Sequence, residues 1–93
     1  MIQSFADRET EKIWNGVRSR KLPQEIQERA LVKLRLLNQA RQLDDLKVPP
    51  GNQFELLKGE RKGQYSIRIN KQWRICFHWS DGGPFDVEIT DYH

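Results

Sequence analysis

The sequence has few of the residues that build disulfides, metal sites and membrane spans. Its 93 residues include one cysteine, Cys76, and two histidines. A lone cysteine forms no internal disulfide. One cysteine and two histidines without the spacing of metal ligands predict no metal site. No stretch approaches the roughly 20 apolar residues that a membrane helix needs. We therefore expect no bound metal, no cofactor and no association with a membrane.

The opening residues differ from those of an exported protein. "MIQSFADRETEKIW" is charged and lacks the apolar centre of a secretory signal. Together with the single cysteine, this predicts a cytoplasmic location. Hydrophobic residues make up only 37% of the chain, so residues 1–93 are expected to form one small domain with a modest core.

Positive charge is concentrated in one part of the chain. The formal net charge is +3, but residues 58–74 carry six Lys or Arg against one Glu, whereas residues 75–93 carry four acids and no Lys or Arg. Such a basic block favours contact with a polyanion. A solvated basic loop has the same composition, and charge alone does not separate the two.

The N-terminal half has helical periodicity. A first helix is expected after Asp7, which suits an N-cap, and a second one near Pro23, which suits a first turn. The opposite face of the second helix carries Arg29, Lys33 and other polar residues, and we expect it to be solvated surface. "MIQSF" is a candidate edge strand. The apolar stripe of the second helix consists of Ile26, Ala30, Leu34, Leu37 and Ala40.

After residue 53 the apolar period becomes two, which predicts strands. Turn residues at 70–72 and 80–84 make the last three strands an antiparallel meander. The expected fold class is α+β, with two N-terminal helices packed on one face of a small, mostly antiparallel sheet. Phe85 and the other odd-numbered apolar residues should face the helices. An open opposite face would suit a single-stranded nucleic acid. That face is expected to carry Arg68, Arg74, Cys76 and His78, alongside Asp86 and Glu88.

The sequence closes on an acid, a phenol and an imidazole, Asp91, Tyr92 and His93. With nearby cations, this set fits metal-independent RNA cleavage, in which the 2′-hydroxyl attacks the phosphate. The reaction needs a base, an acid and cations that stabilise the phosphorane. Histidine suits either proton role, and a tyrosine can stack on a base. The alternative for the strand arginines, Arg68 and Arg74, is pairing with Asp86 and Glu88 across strands.

The stretch "ELLKGERKGQYSIRINKQWRICFHW", followed by "DYH", resembles the HigB branch of the RelE/ParE toxin superfamily. The resemblance covers essentially the whole chain and implies a RelE-like fold. It implies a type II toxin that enters the ribosomal A site and cuts messenger RNA there, inhibiting translation and growth. It also implies a cognate helix-turn-helix antitoxin, similar to HigA, and contact with operator DNA only through the toxin–antitoxin complex.

The resemblance also implies residue roles. Arg74 would stabilise the transition state, and Lys58 would contact phosphate. His93 would transfer protons and Tyr92 would stack or act as acid, with Asp91 orienting its neighbours. Many members of the branch have histidine where this chain has Glu55, so the general base is either Glu55 or His93. RNA-backbone contacts are expected from Arg61, Lys62, Arg68 and Lys71.

Two other functions fit the same sequence. A ParE-like toxin that inhibits gyrase by binding would share the fold, although such chains generally lack the Asp-Tyr-His motif. A non-catalytic RNA-binding or ribosome-binding module would use the same cations without proton transfer. The leading prediction is the endoribonuclease.

Overall fold

The computed structural model describes residues 1–92 and has the predicted α+β class. Within these residues, two α-helices precede one four-stranded antiparallel sheet of order β1-β2-β3-β4. His93 lies outside the described residues. No helix of residues 1–92 is long and apolar enough to cross a membrane. The elements are α1 (Arg8–Trp14), α2 (Gln24–Gln39), β1 (Glu55–Leu56), β2 (Tyr65–Arg68), β3 (Trp73–Ser80) and β4 (Gly83–Asp91).

The predicted N-cap of α1 is confirmed and also joins the helix to the sheet. Asp7 accepts a hydrogen bond from the Thr10 backbone N–H at 3.2 Å. The buried Thr10 hydroxyl donates to the Asp7 carboxylate and accepts from the Ile89 N–H at 2.9 Å. Because the buried Thr10 hydroxyl both donates and accepts a hydrogen bond, it is not left unpaired in the cap.

The core lies between α2 and one face of the sheet. The predicted stripe of α2 is confirmed from Ile26 to Leu37, whereas Ala40 is the buried C-cap beyond the helix. Pro23 lies at the N-cap rather than inside the first turn. Burial of these side chains is the main favourable term holding the helix to the sheet. The stripe packs in one cluster with strand residues of β2, β3 and β4, including Ile67, Ile75, Phe77 and Val87.

The N-terminal segment runs along β4, but it forms less strand than expected. Phe5 makes a single parallel bridge with Val87. The backbone N–H of Gln3 donates to the Pro84 carbonyl at 2.8 Å, and that of Val87 donates to the Ser4 carbonyl at 3.1 Å. The segment therefore covers the β4 edge without forming a ladder.

The prediction that Phe85 faces the helices is wrong. The β3–β4 register shifts between Cys76 and His78, and Asp86 has a positive φ of 50°. One extra residue on β4 rotates the strand, as in a β-bulge. Phe85 therefore lies opposite His78 on the other face, where the two rings stack with centroids 5.2 Å apart.

The prediction of an open second face is also wrong for its central residues. Arg74 is only 8% exposed and Cys76 is fully buried, whereas Arg68 and His78 are half-buried. Residues that precede β2 return over this face. The Gln53 carbonyl accepts a hydrogen bond from Arg74, and Arg61, later in the same segment, donates to Glu88 of β4. Strand periodicity contains no information about such a covering segment.

Candidate active site

Three neighbouring strands place one buried arginine among polar groups. Glu55 and Ser66 are register partners in β1 and β2, and Arg74 extends from β3 toward both. The Arg74 Nε donates to the Ser66 Oγ at 2.7 Å, and its Nη2 donates to the Gln53 carbonyl. A Glu55 carboxylate oxygen lies 3.9 Å from the Arg74 Nη2. The guanidinium is thus fixed in orientation before any ligand binds.

Tyr92 lies over the same guanidinium. The Arg74 Cζ is 5.8 Å from the centre of the Tyr92 ring, within the range of a cation–π contact. The Tyr92 backbone N–H donates to the Gln72 carbonyl at 2.8 Å, which anchors the residue after β4 ends. Within residues 1–92, the hydrogen bonds of Arg74 occupy two of its five N–H groups. Its other N–H groups can serve an anionic ligand.

Asp91 lies apart from this cluster. It pairs in register with Trp73, so strand alternation directs its side chain away from the face of Arg74. Its carboxylate accepts a hydrogen bond from the Gln72 Nε2 at 2.9 Å. Gln72 therefore bonds both to the Asp91 side chain and to the Tyr92 backbone, and it anchors the end of β4.

The cations of the basic block occupy different surroundings. Arg61 makes a 3.1 Å ion pair with Glu88 and donates to the Gln64 amide oxygen at 3.1 Å. Lys58 and Lys62 line an open cavity of about 450 Å³ beside the β1 edge, together with leucines and glycines. Arg61, Lys58 and Lys62 therefore border the sheet near β1.

Arg68 and Arg74 do not pair with Asp86 or Glu88 in the described structure, and the acid paired with Arg74 there is Glu55 of β1, at 3.9 Å. Glu88 pairs with Arg61, and Asp86 accepts from the Ser4 hydroxyl and from no described arginine. Arg68 donates its Nε to the Asn70 carbonyl at 2.9 Å. Arg68 and Lys71 line a second cavity, which lies between α2 and the β2–β3 turn.

Cys76 is buried on the face that carries Arg74. Burial raises the pKa of its thiol, an effect that nearby Arg61 partly opposes. A raised pKa keeps the thiol protonated at neutral pH, which suits packing better than nucleophilic chemistry. Within residues 1–92, no group of three or more His, Cys, Asp or Glu side chains could hold a metal ion.

Sequence reasoning missed the residues that orient the proposed catalytic groups. Gln53, Ser66 and Gln72 are ordinary polar residues in or near turns and strands, and no motif marks them. Ser66 could have been found from the hairpin. Once the turn at 70–72 fixes the register, Ser66 and Arg74 lie on one face and diagonally opposed.

The comparisons with known proteins agree on one family. A family model described as the RelE-like toxin of the type II toxin–antitoxin system HigB matches residues 3–93. Toxin HigB-1 of Vibrio cholerae is 42% identical over 93 residues, which is 99% of this chain and 98% of that protein. Endoribonuclease HigB of Proteus vulgaris is 40% identical over 37 residues, 40% of either chain.

Proposed function

The chain belongs to the HigB-like family of RelE-like type II toxins, and we propose that it cuts messenger RNA on the ribosome without a metal ion. The observation that supports this most is the buried Arg74, held by Ser66 and Gln53 beneath the Tyr92 ring. A fixed cation with N–H groups to spare can stabilise the anionic phosphorane, which carries more charge than the substrate phosphate. The name of the Proteus relative, an endoribonuclease, supports the same activity.

In the proposed reaction the RNA supplies its own nucleophile. A base removes the proton of the 2′-hydroxyl, whose oxygen attacks the adjacent phosphorus. The bond to the 5′-oxygen breaks, and an acid protonates that leaving oxygen. Arg74 stabilises the phosphorane, with Lys58 contacting phosphate nearby. Glu55, 3.9 Å from Arg74, and His93 are the two candidates for the base.

The family implies an antitoxin partner, since type II systems pair each toxin with a neutralising protein. We propose that this partner is a HigA-like helix-turn-helix protein, and that the toxin contacts operator DNA only within their complex. The free toxin acts in the cytoplasm, at the ribosomal A site. The ribosome positions the messenger there, so the toxin needs little intrinsic affinity for its substrate.

The test is primer extension on a messenger in a reconstituted translation system, with and without ribosomes. Wild-type protein is compared with His93→Ala and Glu55→Gln. We expect cleavage only when ribosomes translate the messenger, and we expect loss of the base to slow cleavage by about 100-fold or more. Folded wild-type protein that cuts nothing, or that cuts free RNA equally well, would contradict the proposal. Inhibition of gyrase by a protein that cuts nothing would favour the ParE-like alternative.

Substitution of Tyr92 separates stacking from acid chemistry. Tyr92→Phe keeps the ring over Arg74, so we expect cleavage within about threefold of wild type. Tyr92→Ala removes the ring, and loss of a stacking contact of about 1–3 kcal/mol predicts a decrease of about 5- to 150-fold. Single-turnover rates on programmed ribosomes provide the measurement. If Tyr92→Phe loses as much activity as Tyr92→Ala, the hydroxyl donates a proton and the stacking role is wrong.

A further inference from the structure

Four cationic side chains line one cleft between α2 and the β2–β3 turn. Arg29 and Lys33 come from α2, and Arg68 and Lys71 come from the end of the hairpin. The cleft has a volume of about 420 Å³ and is also lined by Gly51, Ile69 and Asn70. These seven residues define what we call the basic cleft. They come from three separate parts of the sequence and include no acid.

The charges of the basic cleft are not neutralised by the protein. None of its four cations takes part in an ion pair within residues 1–92. The contacts they do make are to neutral oxygens, from Arg68 to the Asn70 carbonyl and from Lys33 to the Asn52 side chain. Desolvation and, second, repulsion by Arg29 lower the pKa of Lys33. An anion in the cleft would relieve this repulsion.

Lys33 is held in place by a buried amide. Asn52 is fully buried, and its Nδ2 donates to the carbonyls of Leu46 and Val48 at 3.1 and 3.3 Å. These two bonds fix the side-chain oxygen, which accepts from the Lys33 ammonium at 2.5 Å. The lysine therefore differs from a mobile surface lysine, because little side-chain freedom remains to be lost on binding.

Arg68 connects the basic cleft to the candidate active site. It lies directly opposite Arg74 in the β2–β3 register. Like charges at directly opposed positions destabilise a sheet, so the pair has a cost unless an anion lies near both. Arg68 thus lies on the face of Arg74 and also lines the cleft, whose other cations lie at the hairpin end and on α2, which packs on the opposite face.

We propose that the basic cleft binds the phosphodiester backbone of RNA, next to the segment that contacts Arg74. Because Arg68 of the cleft is the register partner of Arg74, we favour RNA over an acidic protein segment. The choice of RNA as the polymer rests on the proposed function. Binding in the cleft requires no cleavage. The site thus anchors RNA beyond the scissile phosphate, and all seven of its residues lie outside the Asp-Tyr-His motif.

The test measures binding of a short fluorescent single-stranded RNA whose 2′-hydroxyls are methylated, so that it cannot be cut. Arg29→Gln/Lys71→Gln is compared with Arg20→Gln/Arg35→Gln, which removes the same charge from exposed positions outside the cleft. At about 50 mM salt we expect affinity to fall between 10- and 100-fold in the cleft variant, and the salt slope to fall by about 1.4. The control pair should change affinity by about twofold or less.

Equal losses in both pairs would overturn the proposal, because net charge alone would then explain the attraction. Unchanged affinity and salt slope in the cleft variant would also overturn it. Polyglutamate that displaces the RNA as well as unlabelled RNA does would assign the cleft to an acidic protein segment instead. Cosedimentation then separates two RNA sources. If the cleft variant loses binding to vacant ribosomes, the cleft binds ribosomal RNA. If it loses binding only to messenger-loaded ribosomes, the cleft binds messenger RNA.

Discussion

Arg74→Ala is expected to slow messenger cleavage on the ribosome by about 100- to 1,000-fold, the loss typical of removing one preorganised donor to a developing anion. The reason is geometric. Ser66 and Gln53 fix the guanidinium and Tyr92 covers it, so no reorganisation is needed when the phosphorane forms. The measurement is the single-turnover rate at saturating toxin, which separates the chemical step from binding.

The controls for this substitution must separate catalysis from folding. Arg74 is buried, and its removal leaves the Ser66 hydroxyl without its donor at a cost of about 1–3 kcal/mol. Arg74→Lys keeps the charge but loses the bidentate geometry, so we expect an intermediate rate. Arg35→Ala, at an exposed position of α2, should leave the rate unchanged. Folded Arg74→Ala protein with wild-type activity would exclude Arg74 from the reaction.

The helices and most of the strand pattern could be predicted because their causes are local. Asp7 caps α1 through the side-chain geometry of its own segment, and the stripe of α2 follows from helical spacing. The position of Phe85 could not be predicted. It depends on a positive φ at Asp86, and a strict period of two contains no sign of a bulge.

The candidate site could be predicted only in part, for a related reason. The sequence identified Arg74 and Tyr92, which the fold brings together. It placed Arg74 on an open face, because strand periodicity does not show that the chain folds back from Gln53 over that face. It also assigned Arg29 and Lys33 to solvated surface, because a helical pattern cannot show that a hairpin turn lies beside them.

The aromatic side chains beneath the site form a continuous stack. The Phe54 and Tyr65 rings are 5.6 Å apart and nearly parallel, and the Tyr65 and Phe77 rings are 6.1 Å apart. Phe77 is fully buried in the cluster that joins α2 to the sheet. It lies three residues after Arg74 on β3, so the strand that presents the guanidinium is held in place by this packing.

Phe77→Ala is therefore expected to lower the free energy of unfolding by about 3–5 kcal/mol, the usual cost of deleting a buried phenylalanine ring. Small domains have only about 5–15 kcal/mol in total, so much of this protein's stability would be lost. Urea denaturation followed by tryptophan fluorescence measures the change. Val32→Ala, at a position that is 56% exposed, is the control and should stay within about 0.5 kcal/mol. A loss below about 1 kcal/mol in Phe77→Ala would contradict the assigned core. The two variants of β3 are informative together. Phe77→Ala should reduce toxicity in proportion to unfolding, whereas Arg74→Ala should slow cleavage by about 100- to 1,000-fold in protein that remains folded.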